Sequence, residues 1–298
     1  MRDSFNCCSK MFQHKKSLFL FLLPGLAGIL IFYTAPFSGG IYYALTDGTS
    51  KANIIGLHNF AAVLENRMFQ TGLINSLLLS AFCVPPVWVL GFLTAFYIDR
   101  QKKATAVLRN VIFLPYVLPS SAVLLFWLMA FDDSGIVNQI LSWFGLERIM
   151  FLSSPAMRIP VVFLFIWKNF GFAVIVYLSA MQSIPEILYE SAVLDGAGFF
   201  SQCIHITLPH IVPTAFLVLL IEWVNAFRIF REVYLIGGAY PVMEVYTLQH
   251  FMNNMYSRLN YQYVTSAAYI FTFFLFIFFG SLFISQKLIV KRLEGNAD

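Results

Sequence analysis

The sequence predicts an all-α, polytopic membrane protein with six transmembrane helices. Three observations carry this. Hydrophobic residues make up 59% of the 298-residue chain and charged residues only 11%, where soluble domains hold roughly 45–50% and about 25%. The mean hydropathy is +0.74. Six stretches reach the about 20 mostly apolar residues that a bilayer core of about 30 Å requires: 17–36, 73–98, 111–131, 159–181, 211–234 and 265–289. Other classes fall away by the same arithmetic. Disorder needs low hydrophobicity, and four cysteines in a chain this long make no disulfide scaffold. A membrane β-barrel would alternate in segments of about ten residues.

The first span follows Lys15 and Lys16. Its apolar run is too long for a signal peptide and no small-x-small cleavage site follows, so it reads as an uncleaved span. Cys7 and Cys8 precede it as a juxtamembrane pair of the kind that is sometimes acylated. Pro85-Pro86 in the second span predicts a kink or break, because each proline removes a helix donor. Gly135, Gly145 and Pro155 between spans three and four suggest a short helix lying on the surface. Basic residues set direction: Lys15, Lys16, Arg100, Lys102, Lys103, Arg109, Lys287 and Lys291 all fall on one side. That bias places both termini in the cytoplasm. The expected organisation is a cytoplasmic tail, 1–16, one six-span domain, 17–290, and a second cytoplasmic tail, 291–298. The net charge of +4 forms no basic patch interleaved with aromatics, so nucleic acid is not an expected partner.

One segment departs from the charge rule. Residues 183–210 join spans four and five and should be cytoplasmic, yet contain no Lys or Arg. Glu186, Glu190 and Asp195 stand there instead. An acidic loop suits a protein partner better than anionic lipid. Ser183-Ile184-Pro185-Glu186 has the spacing of a capping box. A helix through Tyr189 and Val193 would end at Gly196 in a left-handed turn. A second helical stretch from about Phe199 would stop before Pro209. The result is helix, glycine elbow, helix.

Glu190-Ser191-Ala192, three residues, Gly196, nine residues, and Ile206-Thr207-Leu208-Pro209 resemble the EAA loop of binding-protein-dependent ABC importer permeases. The pattern departs only at Ser191, a small residue for alanine. Asp195-Gly196-Ala197 is similar to the carbohydrate branch of that family, maltose- and oligosaccharide-type. So are Phe21-Leu22-Leu23-Pro24-Gly25, Arg109-Asn110-Val111-Ile112-Phe113-Leu114-Pro115 and Ile236-Gly237-Gly238-Ala239-Tyr240-Pro241, the last with Tyr240 inserted. The resemblance implies a type I ABC importer permease fold and a carbohydrate substrate. It implies a second permease subunit, two cytoplasmic ATPase subunits and an extracellular solute-binding protein as partners. It also implies that the loop 183–209 couples to the ATPase, through Glu190, Ser191, Ala192, Asp195, Gly196, Ile206, Leu208 and Pro209. ATP would be bound by the partners, with no cofactor in this chain and no enzymatic role.

Ionisable groups inside spans are costly and usually paired or functional. Counted from the span ends, Lys168 and Glu222 reach similar depths, so an ion pair between spans four and five is expected. Two readings stand. The pair is structural, or Lys168 and Glu222 line a solute pathway with Asn169 and Asn225. A third reading makes Lys168 and Glu222 the proton relay of an ion-coupled secondary transporter. Trp167, Tyr177 and Trp223 offer aromatic faces that either pack or stack on sugar rings. Arg228, Arg231 and Glu232 near the end of span five either snorkel or serve a gate or an external receptor. No lysine follows a glycine, so the chain lacks a phosphate-binding P-loop. Hydrolase motifs and metal-ligand spacings are also missing, which leaves an intramembrane enzyme without a nucleophile or metal.

Overall fold

The computed structural model describes residues 19–49, 53–100 and 105–295. The N-terminal tail with Cys7 and Cys8, and residues 296–298, lie outside the described residues. The regular structure among those described is helical, apart from an isolated bridge between Thr46 and Ile54. In chain order the helices are α1 (Phe19–Leu45), α2 (His58–Glu65), α3 (Arg67–Arg100), α4 (Thr105–Val117), α5 (Ser120–Phe131), α6 (Ile136–Trp143) and α7 (Arg158–Met181). There follow α8 (Glu186–Leu194), α9 (Phe199–Gln202), α10 (Leu208–Phe227), α11 (Phe230–Gly237), α12 (Leu248–Ser257) and α13 (Tyr261–Gly295).

Among the described residues, 6 segments are long and apolar enough to cross a membrane: Phe19–Leu45, Arg67–Arg100, Ser120–Trp143, Pro155–Met181, Phe199–Gly237 and Tyr261–Lys291. The expected third span, 111–131, is corrected. The chain breaks at Leu118, and Pro119 is the N-cap of α5. Steric conflict between a proline ring and the preceding residue disfavours helix there, which splits the apolar run into α4 and α5. The short helix expected after Gly135 is α6, and it falls within the apolar segment Ser120–Trp143 and not apart from it. The last helix continues to Gly295, past the expected end of its span.

Prolines shape the other helices in two ways. α3 carries Pro85 and Pro86 through its middle without a break. At two other prolines the helix widens just before the ring. Ahead of Pro36 the Ala35 N–H reaches Leu30 O, closing a π turn over Leu30–Thr34. Ahead of Pro209 the Leu208 N–H reaches Cys203 O, closing a second over Cys203–Thr207. A proline ring collides with the carbonyl four residues back, and a π turn moves that carbonyl aside. The stop expected before Pro209 is therefore corrected: α9 runs through the π turn into α10.

The described residues form two compact units. One takes residues up to Leu64 together with Met255–Ile270; the other takes Glu65–Asn254 and the residues from Phe271 on. In the first, Asn59 Nδ2 donates to Ala44 O and Thr46 O, both at 2.9 Å, and Tyr269 donates its hydroxyl proton to Phe37 O. In the second, α3, α7 and α10 pack together around Leu79, Val87, Val174, Tyr177, Ile211 and Val218. Small residues allow close approach: a Cβ on Gly91 of α3 would lie 2.8 Å from Ala173 Cβ of α7. A smaller cluster joins α5 to α7 through Leu124, Trp127, Phe131 and Leu164.

His250 of α12 is fully buried among Phe230 and Tyr246. Thr247 N–H donates to its Nδ1 at 3.1 Å, so the ring proton sits on Nε2. Burial pushes His250 down to about 4. Below its ordinary value of 6.5 the unfolded chain takes up a proton that the folded chain refuses, so stability falls as pH drops from about 6.5 to about 4 and is complete above that window. The loss amounts to roughly 3 kcal/mol across it. Thermal unfolding in detergent at pH 7 and pH 5 should show a lower Tm at pH 5, and His250→Gln should flatten that difference.

Candidate functional sites, an exposed elbow and a basic cavity

The elbow is built locally. Pro185 caps α8 at its N-terminus with extended backbone. The expected capping box is corrected: Ser183 Oγ donates backwards to Ala180 O at 2.7 Å, tying it to the end of α7. At the other end, Ala197 N–H bonds Ala192 O at 2.8 Å and Gly196 N–H bonds Val193 O at 3.0 Å. With Gly196 at φ +78°, this is a Schellman motif. Ser191 Oγ donates to Ile187 O at 2.7 Å, so the serine that departs from the family pattern spends its proton on its own helix.

The two arms are joined. Tyr189 and Thr207 share a hydroxyl hydrogen bond of 3.0 Å. Gln202 Nε2 donates to Ala197 O at 3.0 Å. Arg100, at the end of α3, lies over the Tyr189 ring at 4.5 Å, Phe96 at 5.4 Å and Phe199 at 5.9 Å. Its Nε and one Nη are buried without a hydrogen-bond partner, so the ring faces are what hold the cation. Sequence reasoning used Arg100 only to orient the chain. Nothing in its spacing reveals that three rings converge on it.

The outer surface of the elbow is apolar and acidic. Leu194 is 88% exposed and Phe200 79%, with Ile187, Val193 and Ile204 also exposed. Glu190 and Asp195 are exposed, Ala192 is half-buried, and Leu208 is exposed at the start of α10. Ile206 packs against the core, beside half-buried Pro209. Glu190 borders a cavity of about 570 Å³ with Asp99, Arg100, Glu186 and Tyr189. An exposed apolar patch ringed by charge marks an interaction surface.

A second cavity, of about 470 Å³, lies between α4, α7, α10 and α11. Lys168, Asn169, Asn225, Arg228, Arg231 and Glu232 line it. Measured along α7, Asn169 stands about 18 Å from the helix end that leads into the elbow. Three of the four pathway candidates, Lys168, Asn169 and Asn225, therefore meet in one place. Asn225 Nδ2 donates to Asn169 Oδ1 at 3.4 Å.

The expected Lys168–Glu222 pair is corrected. Lys168 Nζ lies 3.6 Å from Glu232 Oε1 and donates to Ser120 Oγ. Arg231 Nη2 reaches the same Glu232 oxygen at 3.2 Å and Ser120 Oγ at 2.9 Å. Glu222 is 0% exposed, and neither of its oxygens has a hydrogen-bond partner of normal geometry. Depth along a helix said nothing about azimuth. Adjacent residues differ by about 100° around the axis, and Asn169, not Lys168, faces α10. The aromatic candidates pack: Tyr177 is fully buried, Trp167 lies 5.7 Å from Trp127, and Trp223 lies 4.7 Å from Phe278. Among the described residues no group of His, Cys, Asp and Glu has a metal-binding arrangement.

Comparison with known proteins adds four findings. Residues 88–295 match the family described as binding-protein-dependent transport system inner membrane component. The chain is 28% identical over 285 residues to the trehalose/maltose transport system permease protein MalF of Thermococcus litoralis, across 94% of this chain and 96% of that protein. It is 30% identical over 300 residues to the diacetylchitobiose uptake system permease protein NgcF of Streptomyces coelicolor, across 93% and 83%. Its fold is similar to a chain in the crystal structure of a bacterial alginate ABC transporter in complex with alginate pentasaccharide-bound periplasmic protein. That likeness has a TM-score of 0.82 and 26% identity, and covers 95% of this chain and 98% of that one.

Proposed function

The chain belongs to the family of binding-protein-dependent transport system inner membrane components, and from that membership we propose that it carries a saccharide delivered by an extracellular solute-binding protein. It is the permease subunit of an ABC importer. The relatives named above handle trehalose and maltose, diacetylchitobiose and alginate, all saccharides, which supports a carbohydrate substrate. The chain sits in the cell membrane with both termini cytoplasmic. It pairs with a second permease subunit, and two cytoplasmic ATPase subunits bind the nucleotide. The chain performs no chemistry and holds no cofactor.

The single observation that carries this reading is the elbow. Its exposed Leu194 and Phe200 fill a cleft on an ATPase subunit, and Glu190 bonds a basic group there. α9 is continuous with α10 through the π turn, so a push on the elbow moves a spanning helix as a body. Asn169, Asn225 and Lys168 line the solute route. An ion-coupled transporter would need a proton relay, and Lys168 facing Glu232 removes the Lys168–Glu222 pair on which that alternative stood. Reconstitution separates the two. Saccharide uptake into liposomes should require the ATPase subunits and ATP and ignore a proton gradient. Uptake by the purified subunit under a proton gradient alone would overturn the reading.

A further inference from the structure

We propose that the basic cavity binds an oxyanion on the transported saccharide, so that the importer takes acidic sugars, carboxylated or phosphorylated, in preference to neutral ones. This rests on the reading of that cavity as the solute route. The charges facing it are Lys168, Arg228 and Arg231 against Glu232 alone. Glu232 is already shared between Lys168 and Arg231, at 3.6 and 3.2 Å. The Arg228 guanidinium forms no ion pair or hydrogen bond with a described side chain. Two of the three cations therefore share one carboxylate, and Arg228 is left over.

A neutral sugar gives no reason for that surplus. Its hydroxyls need paired donors and acceptors, which Asn169, Asn225 and Tyr116 supply at the same wall. Cations clustered in one cavity repel one another. A solute anion restores the balance and gains from it, because a guanidinium offers two parallel donors to a carboxylate or phosphate. Snorkelling accounts for one exposed arginine at a helix end. It does not account for a lysine on α7 and two arginines around the end of α10 meeting in one cavity of about 470 Å³, a volume within the range of small-molecule sites. A field of one sign within low-dielectric walls also raises the local concentration of an anionic solute.

The test uses the complete importer with its own binding protein. Cells are fed an equimolar mixture of galacto-oligosaccharides, oligogalacturonides, glucose and glucose 6-phosphate, and ATP-dependent accumulation is scored by mass spectrometry. Acidic members should enter at least tenfold faster than their neutral counterparts. Whether the uronate or the phosphate pair shows the preference identifies the oxyanion. Arg228→Gln should cut the preference to below threefold. Faster or equal entry of the neutral sugars overturns the proposal. So does an Arg228→Gln variant that keeps its preference, or one that only weakens capture of the loaded binding protein, since Arg228 would then belong to the receptor contact. Absence of any ATP-dependent saccharide uptake would instead sink the importer reading itself.

Discussion

Replacing Gly171 with valine is expected to deplete the protein from the membrane. Gly171 lies on α7 where α4 crosses it. A Cβ there would stand 2.0 Å from Ile112 O, 2.8 Å from Ile112 C and 3.0 Å from Phe113 Cα. Those are backbone atoms and cannot swing aside as a side chain would. α4 must move off, and it would drag Tyr116 away from its stack on Phe172 at 5.0 Å. Overpacking of this kind costs about 1–3 kcal/mol and occasionally more, a large share of a typical folding free energy. Valine, with two γ carbons, stands at the upper end and alanine below it. In detergent, Gly171→Val should lower Tm by about 5–10 °C and cut the membrane level several-fold. Gly280→Val is the control, because nothing lies within 4 Å of a Cβ there. Wild-type levels and Tm for Gly171→Val would show that the two helices do not pack this closely.

What the sequence revealed, and what it hid, divides along the reach of the physics involved. Hydropathy located six spans because apolar content needs no tertiary context. It passed over the break at Leu118-Pro119 because the run stays apolar across it, although Pro119 itself carried the steric signal. The elbow was legible for a local reason. A glycine at a helix end and the hydrogen bonds around it depend on a handful of consecutive residues, and Gly196 adopts the left-handed turn expected of it. Ser183 failed as a cap because the end of α7 offered Ala180 O closer to hand. The polar residues of the spans were legible as a set but not as partners. Lys168 finds Glu232 across helices, and Arg100 finds three rings on α3, α8 and α9. Neither pairing leaves a mark in spacing, because both are decided by the azimuth of packed helices.

Replacing Gly196 with valine is expected to abolish ATP-driven uptake while leaving the chain inserted and folded. The cost does not come from crowding, since nothing lies within 4 Å of a Cβ at this position. It comes from the backbone. At φ +78° an L-residue pays roughly 1–2 kcal/mol, and a β-branched one is a genuine outlier. α8 would then leave the Schellman turn, and the Ala197 to Ala192 hydrogen bond of 2.8 Å would open. Both arms lose their fixed angle, so Glu190 and Leu194 no longer present one rigid surface. Spans packed elsewhere do not depend on this turn, and so the membrane level should match wild type. Uptake should fall at least tenfold. Gly196→Asn supplies the decisive contrast, because asparagine visits the left-handed region far more readily and should keep most of the activity. If valine and asparagine behave alike, the angle of the elbow does not matter, and transmission of force through residues 183–209 is the wrong account of this chain.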